Sequence, residues 1–194
     1  MNRKLPLGLL FFSLLSLIFA KPYPDYPMLD QYRKEDPIEV LYVEPKELSR
    51  YRVTFAEESR VLVGGKIVES NSLTFVMDKE GNIYASPDKM YLHHSSYLRG
   101  QSVACAGHLF LIDGVLSTVM NSSGHYAPPA KSLVSVAEEL MDRGIDIEGL
   151  TFLPVQALEI KDIEAEIRNM ISQKKKAKKI REKGCRSILD QILG

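Results

Sequence analysis

His108-Leu109-Phe110-Leu111-Ile112-Asp113-Gly114-Val115-Leu116-Ser117-Thr118-Val119-Met120 carries the strongest fold signal in the chain. Two runs rich in apolar and β-branched residues flank Asp-Gly. That dipeptide accepts the positive φ angles of a two-residue hairpin turn, so the stretch reads as two antiparallel strands. Toward the N-terminus two more hairpins follow the same logic. One joins Arg60 to Val63 with Lys66 to Val68 through Gly64-Gly65; the other joins Leu73 to Met77 with Asn82 to Ala85 through Asp78-Lys79-Glu80-Gly81. Tyr51 to Phe55 alternates like a further strand. On the C-terminal side Pro128-Pro129 opens a helix whose Leu133, Val136, Ala137, Leu140 and Met141 share one face, and Gly144 ends it. Thr151 to Val155 reads as a last short strand. A second helix starts at about Ala157, with Ile160, Ile163, Ile167, Met170 and Ile171 as its apolar stripe. Hairpins followed by helices predict an α+β fold: an antiparallel sheet of hairpins with two C-terminal helices packed on one face or end.

The chain divides by composition into four stretches. Residues 1–20 combine a basic start (Arg3, Lys4) with an uncharged apolar run ending at Ala20, the pattern of a cleavable signal peptide. The run from Leu5 is shorter than the roughly 20 residues needed to span a bilayer. On this reading the protein is secreted or periplasmic. Residues 21–50 form an arm rich in proline and tyrosine, an extended arm or linker in which Ile38 to Val43 has the pattern of a short edge strand. Residues 51–156 hold the α+β domain, and residues 157–194 an amphipathic basic helix.

Charge excludes some functions. Taking Arg3 and Lys4 from the 25 basic residues, against 25 acidic ones, leaves a formal charge of −2 on the remaining chain. That gives no general attraction to nucleic acid, and none is expected as a partner. Cys105 and Cys185 are the only cysteines, and the chain lacks the Cys/His clusters that a four-ligand structural zinc site needs. Neither a metal nor a cofactor is expected. In an oxidising compartment the two could pair; the favoured reading is two free thiols, Cys105 lying in an apolar stretch.

Candidate chemistry concentrates in one window. His93, His94, His108 and His125 are all the histidines of the chain. Their neighbours are polar: His93-His94-Ser95-Ser96-Tyr97-Leu98-Arg99-Gly100, and Asn121-Ser122-Ser123-Gly124-His125-Tyr126. Imidazole exchanges protons near neutral pH, and serine beside it is the raw material of a nucleophile and its base. The same residues also suit loop-tying hydrogen bonds and turn caps. No Gly-x-Ser-x-Gly elbow and no His-x-x-x-His pair is present. Asn121-Ser122-Ser123 fits a glycosylation sequon. Lys174 to Arg186 holds eight basic residues against Glu182, a composition that serves either as a solvated helix end or as a basic amphipathic surface for anionic lipid or calmodulin-like partners.

The order Gly81-Asn82-Ile83-Tyr84-Ala85, His94-Ser95-Ser96-Tyr97-Leu98-Arg99-Gly100, Val103-Ala104-Cys105-Ala106-Gly107, Asp113-Gly114 and Ser123-Gly124-His125-Tyr126-Ala127-Pro128 resembles the central domain of the plant IQ-motif calmodulin-binding proteins. It is also similar to uncharacterised bacterial proteins that share the domain. The resemblance spans about residues 73–155. Tyr97 stands where the family carries Phe, Arg99 where it carries Ala, and His108 where it carries Arg or Glu; the first two read as changes a surface tolerates. The resemblance implies no catalytic activity. The plant members bind calmodulin through an IQ motif outside this domain, and this chain has no Ile-Gln with the required basic spacing, so calmodulin is not an expected partner.

Together these features predict a secreted or exported, non-enzymatic module that binds a small molecule or protein. Its polar pocket would be built from His94, Ser95, Ser96, His125 and Tyr126, with Arg99 nearby. The alternative is a hydrolase- or transferase-type enzyme using the same residues, with His94 or His125 as base. Membrane contact through the C-terminal basic helix is a third, weaker expectation.

Overall fold

In the computed structural model, residues 22–31, 40–87, 92–155 and 160–193 are described, the last from residue 181 onward as backbone alone. The Asp-Gly hairpin organises the main sheet. Asp113 and Gly114 take φ of 51° and 78°, the positive pair that a tight hairpin turn requires. They join β6 (Cys105–Ile112) to β7 (Val115–Met120), with His108 opposite Met120 and Ile112 opposite Val115. On the other side of β6 lies β4 (Ser72–Met77), itself paired with β5 (Ile83–Pro87). All of these pairs are antiparallel. Gly64 and Gly65, both at positive φ, close the smaller hairpin between β2 (Val61–Val63) and β3 (Lys66–Ile67); β1 (Val53–Phe55) completes a three-stranded sheet.

The last strand departs from the expected antiparallel pattern. β8 (Thr151–Leu153) lies beside β7 in parallel, making the strand order β5-β4-β6-β7-β8. The reason is the helix between them, α2 (Ser132–Asp142): it carries the chain back along the sheet, so the next strand starts at the same end as β7. The short α1 (His94–Tyr97) precedes β6, and α3 (Ile160–Leu193) ends the described chain. Residues 157–159, where the sequence places the start of that last helix, lie outside the described residues, as do residues 1–20.

The central strands are buried on both faces, so Leu73 to Met77 all lie inside. Alternation sends Leu73, Phe75 and Met77 to one side, against Leu133, Val136, Leu140, Ile163 and Ile167 of α2 and α3. Val76 and Ala106 point to the other side, against Tyr84, Tyr97, Val103, Tyr126 and Met28. The two C-terminal helices therefore share one face of the sheet, and α1 with the histidine-bearing loops covers the opposite face. Cys105 is a free thiol on the helix side; burial pushes it up to about 12, and its Sγ lies 3.2 Å from Ser132 Oγ.

Three sequence expectations change here. The described part of the arm is docked: Tyr26 and Val103 exchange backbone hydrogen bonds of 2.7 and 3.0 Å, and Tyr23 donates from its hydroxyl to Glu139 at 3.1 Å. Residues 40–43 form no strand; Val43 is buried and donates its N–H to Ser96 O. Tyr97 is no surface position. Its ring is buried, edge-on to Tyr51 at 5.7 Å, and its hydroxyl donates to Thr74 O at 3.1 Å while pairing with Ser86 Oγ at 2.7 Å.

Candidate functional site

α1 is a single turn. Its entry is fixed by His93, whose backbone N–H donates to Ser96 Oγ at 3.0 Å, a side-chain cap that satisfies an otherwise unpaired amide. This places Ser95 against the loop after β7, where its Oγ and His125 Nδ1 share a 2.9 Å hydrogen bond. The exposed His93 stacks on His125 with ring centroids 5.4 Å apart. His94 turns toward β6: its Nε2 lies 3.0 Å from Gly107 O and its ring meets His108 edge-on at 5.5 Å. Gly107 is what lets the loop after β7 come this close. A Cβ there would sit 1.8 Å from Met120 O and 2.8 Å from Ser122 N.

The six candidate residues are only partly gathered. Ser95 and His125 meet directly. His94 belongs to a second imidazole pair with His108, and the partner of His125 is His93, which sequence reasoning left out of the site. Ser96 caps the turn. Tyr126 is buried, its hydroxyl donating to Gln101 O at 2.9 Å. Arg99 sits on the surface, 3.2 Å from Glu44 and over the ring of Tyr42. A cleft of about 480 Å³ opens beside this junction, lined by Asn121 to Gly124, Ala127 to Ala130 and Val155; none of the six lines it. The sequon asparagine is committed to the fold. Asn121 is buried, its Nδ2 donates to Pro128 O, and its Oδ1 accepts from Val155 N, so no face of the amide is offered for modification.

The Ser95–His125 pair has the contact distance of a nucleophile and its base, yet Ser95 is 1% exposed. A nucleophile needs its oxygen within reach of the reacting atom, and this one faces protein. The arrangement ties α1 to the loop after β7. Among the described residues no group of three or more His, Cys, Asp or Glu side chains is placed to hold a metal ion.

The other concentration of charge lies on the opposite face of the sheet. α3 buries Ile163 and Ile167 and half-buries Met170 and Ile171, at the spacing of one helical face. Every residue from Lys175 to Ile180 is exposed, four of them lysines, and Ile180 keeps 70% of its surface open. Among the described residues, no helix is long and apolar enough to cross a membrane.

Residues 47–133 match the family model of the IQ motif-containing protein middle domain. The chain is 29% identical to the IQ domain-containing protein IQM3 of Arabidopsis thaliana over 119 residues, 57% of this chain and 26% of that protein. It is 29% identical to IQM1 over 114 residues, 56% of this chain and 23% of the relative, and 31% identical to IQM5 over 101 residues, 46% and 19% respectively, both from the same plant. The chain thus spans about a quarter or less of the length of these curated relatives. No solved structure matches. The resemblance to the plant IQ-motif proteins is supported over this middle segment.

The matches correct the functional expectations. The relatives are IQ domain-containing proteins, which overturns the reading of a secreted or exported binding module, and with it the signal-peptide assignment of residues 1–20. The enzymatic alternative fails on the closure of Ser95. The expectation that calmodulin is not a partner is overturned as well. It rested on a missing Ile-Gln register, and that removes only one way of recognising calmodulin; a basic amphipathic helix is another.

Proposed function

We propose that this chain is a partner-binding protein in which the α+β domain forms a rigid base and the basic half of α3 docks an acidic EF-hand protein of the calmodulin class. The observation that carries this reading is the change of character along one helix. Up to Ile171 the apolar stripe of α3 is spent on the domain. From Lys175 the helix carries exposed lysines around an exposed Ile180. Cationic side chains with an apolar anchor on a preformed helix are what an acidic, groove-forming partner takes. A helix held by its packed N-terminal half costs less ordering entropy on binding than a free peptide.

Titration of the full chain with calcium-loaded calmodulin, followed by calorimetry, tests this. The chain is expected to bind. Replacing Lys175, Lys176, Lys178 and Lys179 together by Glu is expected to weaken binding more than tenfold while leaving the domain folded. Absence of binding by the unaltered chain, or equal binding by the variant, overturns the reading. So does retention on anionic vesicles without any calmodulin complex, which would assign the lysines to a lipid surface.

A further inference from the structure

The basic run of α3 is not wholly free. Where α3 leaves the domain, Lys174 Nζ is paired with Asp142, the last residue of α2, and Lys175 Nζ is paired with Glu148 in the loop before β8. Asp146 adds a third carboxylate, lining the same groove as Glu148 and Lys175. Beneath these pairs lies a small groove of about 270 Å³ with an apolar floor that includes Met141, Ile145, Ile147 and Ile171. Lys178, one turn further on, reaches the same groove. A lysine-bearing helix with an apolar edge thus lies on a short acidic surface with an apolar floor. An acidic EF-hand groove offers the same two features to the same residues.

We infer that Asp142, Asp146 and Glu148 form an internal acidic decoy, which holds the proximal part of the basic run of α3 and which an acidic partner must displace. This inference rests on the docking reading above and adds a regulation of that site. The geometry sets the order of events. Lys176, Lys179 and Ile180 are exposed and take the first contact. Lys174 and Lys175 follow only when they leave Asp142 and Glu148. Because the pairs are on the surface, each contributes little by itself, so the decoy tunes affinity and does not block binding. Both the decoy and the docking contact are charge–charge interactions, so raising the salt concentration weakens each of them.

The test uses the full chain with Asp142→Asn, Asp146→Asn and Glu148→Gln combined, a set that keeps side-chain volume and removes the charge. Binding of calcium-loaded calmodulin is measured by calorimetry at one fixed ionic strength for both proteins, with circular dichroism confirming equal helix content. The variant is expected to bind about threefold to tenfold more tightly. If the unaltered chain binds and the variant binds equally or more weakly, the decoy is overturned and the docking reading stands. If neither protein binds calmodulin, the docking reading falls and the decoy falls with it.

Discussion

The histidine–serine junction and the basic half of α3 are the two polar concentrations of this chain, and they are built in opposite ways. At the junction, polar atoms are turned inward. Ser95 meets His125, Ser96 caps His93, Asn121 spends both ends of its amide, and Tyr97 and Tyr126 bury their rings and bond backbone carbonyls. Along Lys175 to Ile180, side chains are turned outward. Inward-facing polar groups fix one conformation, because each would be costly to leave unpaired. Outward-facing charges contribute little to folding and are available to a partner. On the docking reading proposed above, the richer set of chemical groups is the structural one, and the plainer lysine run is the one that meets a partner. If that division holds, changes at the junction alter stability and leave partner binding intact, and changes along the helix do the reverse.

Gly107→Ala is the severest test. The added Cβ would overlap the backbone of Met120 and Ser122, which no side-chain rotation relieves. β6 and β7 must separate to admit it. A loss of about 3 kcal/mol or more is expected from such a backbone displacement, measured by urea unfolding, or a chain that fails to fold. A loss under 1 kcal/mol would show that the junction is looser than its contacts imply. Tyr97→Phe comes next. It removes one hydroxyl, which takes one donor from Thr74 O and the 2.7 Å partner from the buried Ser86 Oγ, for an expected cost of about 1–3 kcal/mol by the same measurement. A neutral result would mean that the Ser86 hydroxyl finds another partner on its own.

The fold was legible where local chemistry decides it. Asp113-Gly114 and Gly64-Gly65 specify their hairpins by φ alone, and the spacing of Leu133, Val136, Ala137 and Leu140 specifies the buried face of α2. The parallel pairing of β8 was not legible, since Thr151 to Leu153 reads the same in either direction and the direction comes from the crossover through α2. At the candidate site, Ser95 and His125 were picked out by type. Their meeting across a sheet face depends on Gly107, a residue with no chemistry of its own. The role of His93 depends on the local turn: it sits just before a helical turn and reaches His125, which its sequence neighbours do not announce. The network around Arg143 is likewise a product of the fold: it pairs with Glu139 at 2.7 Å and donates to Val53 O and Gly81 O, and only its i,i+4 spacing from Glu139 is visible in sequence.

Ser95→Ala is a milder break. His125 loses one hydrogen-bond partner and the loop after β7 loses one tie, with no cavity larger than the hydroxyl. The expected cost is about 1 kcal/mol. Calmodulin affinity is expected to be unchanged, because the pair lies on the sheet face opposite α3. A weakened complex would show that the two regions are coupled through the sheet, and would undo the division between them.

The smallest stability effect is expected where the binding effect is largest. Replacing Lys175, Lys176, Lys178 and Lys179 by Gln keeps helix propensity nearly constant and removes four like charges from neighbouring turns. Against that relief stands the loss of one surface ion pair, Lys175 with Glu148. Each contribution is a few tenths of a kcal/mol, and they oppose one another, so urea unfolding is expected to shift by less than about 0.5 kcal/mol. Calmodulin binding, measured on the same preparation, is expected to fall severalfold, and less than with Glu, because Gln removes attraction without adding repulsion. A drop in stability of 2 kcal/mol or more would place these lysines in the fold itself. The exposed half of α3 would then be an extension of the packed half, and the contrast with the junction would be one of appearance only.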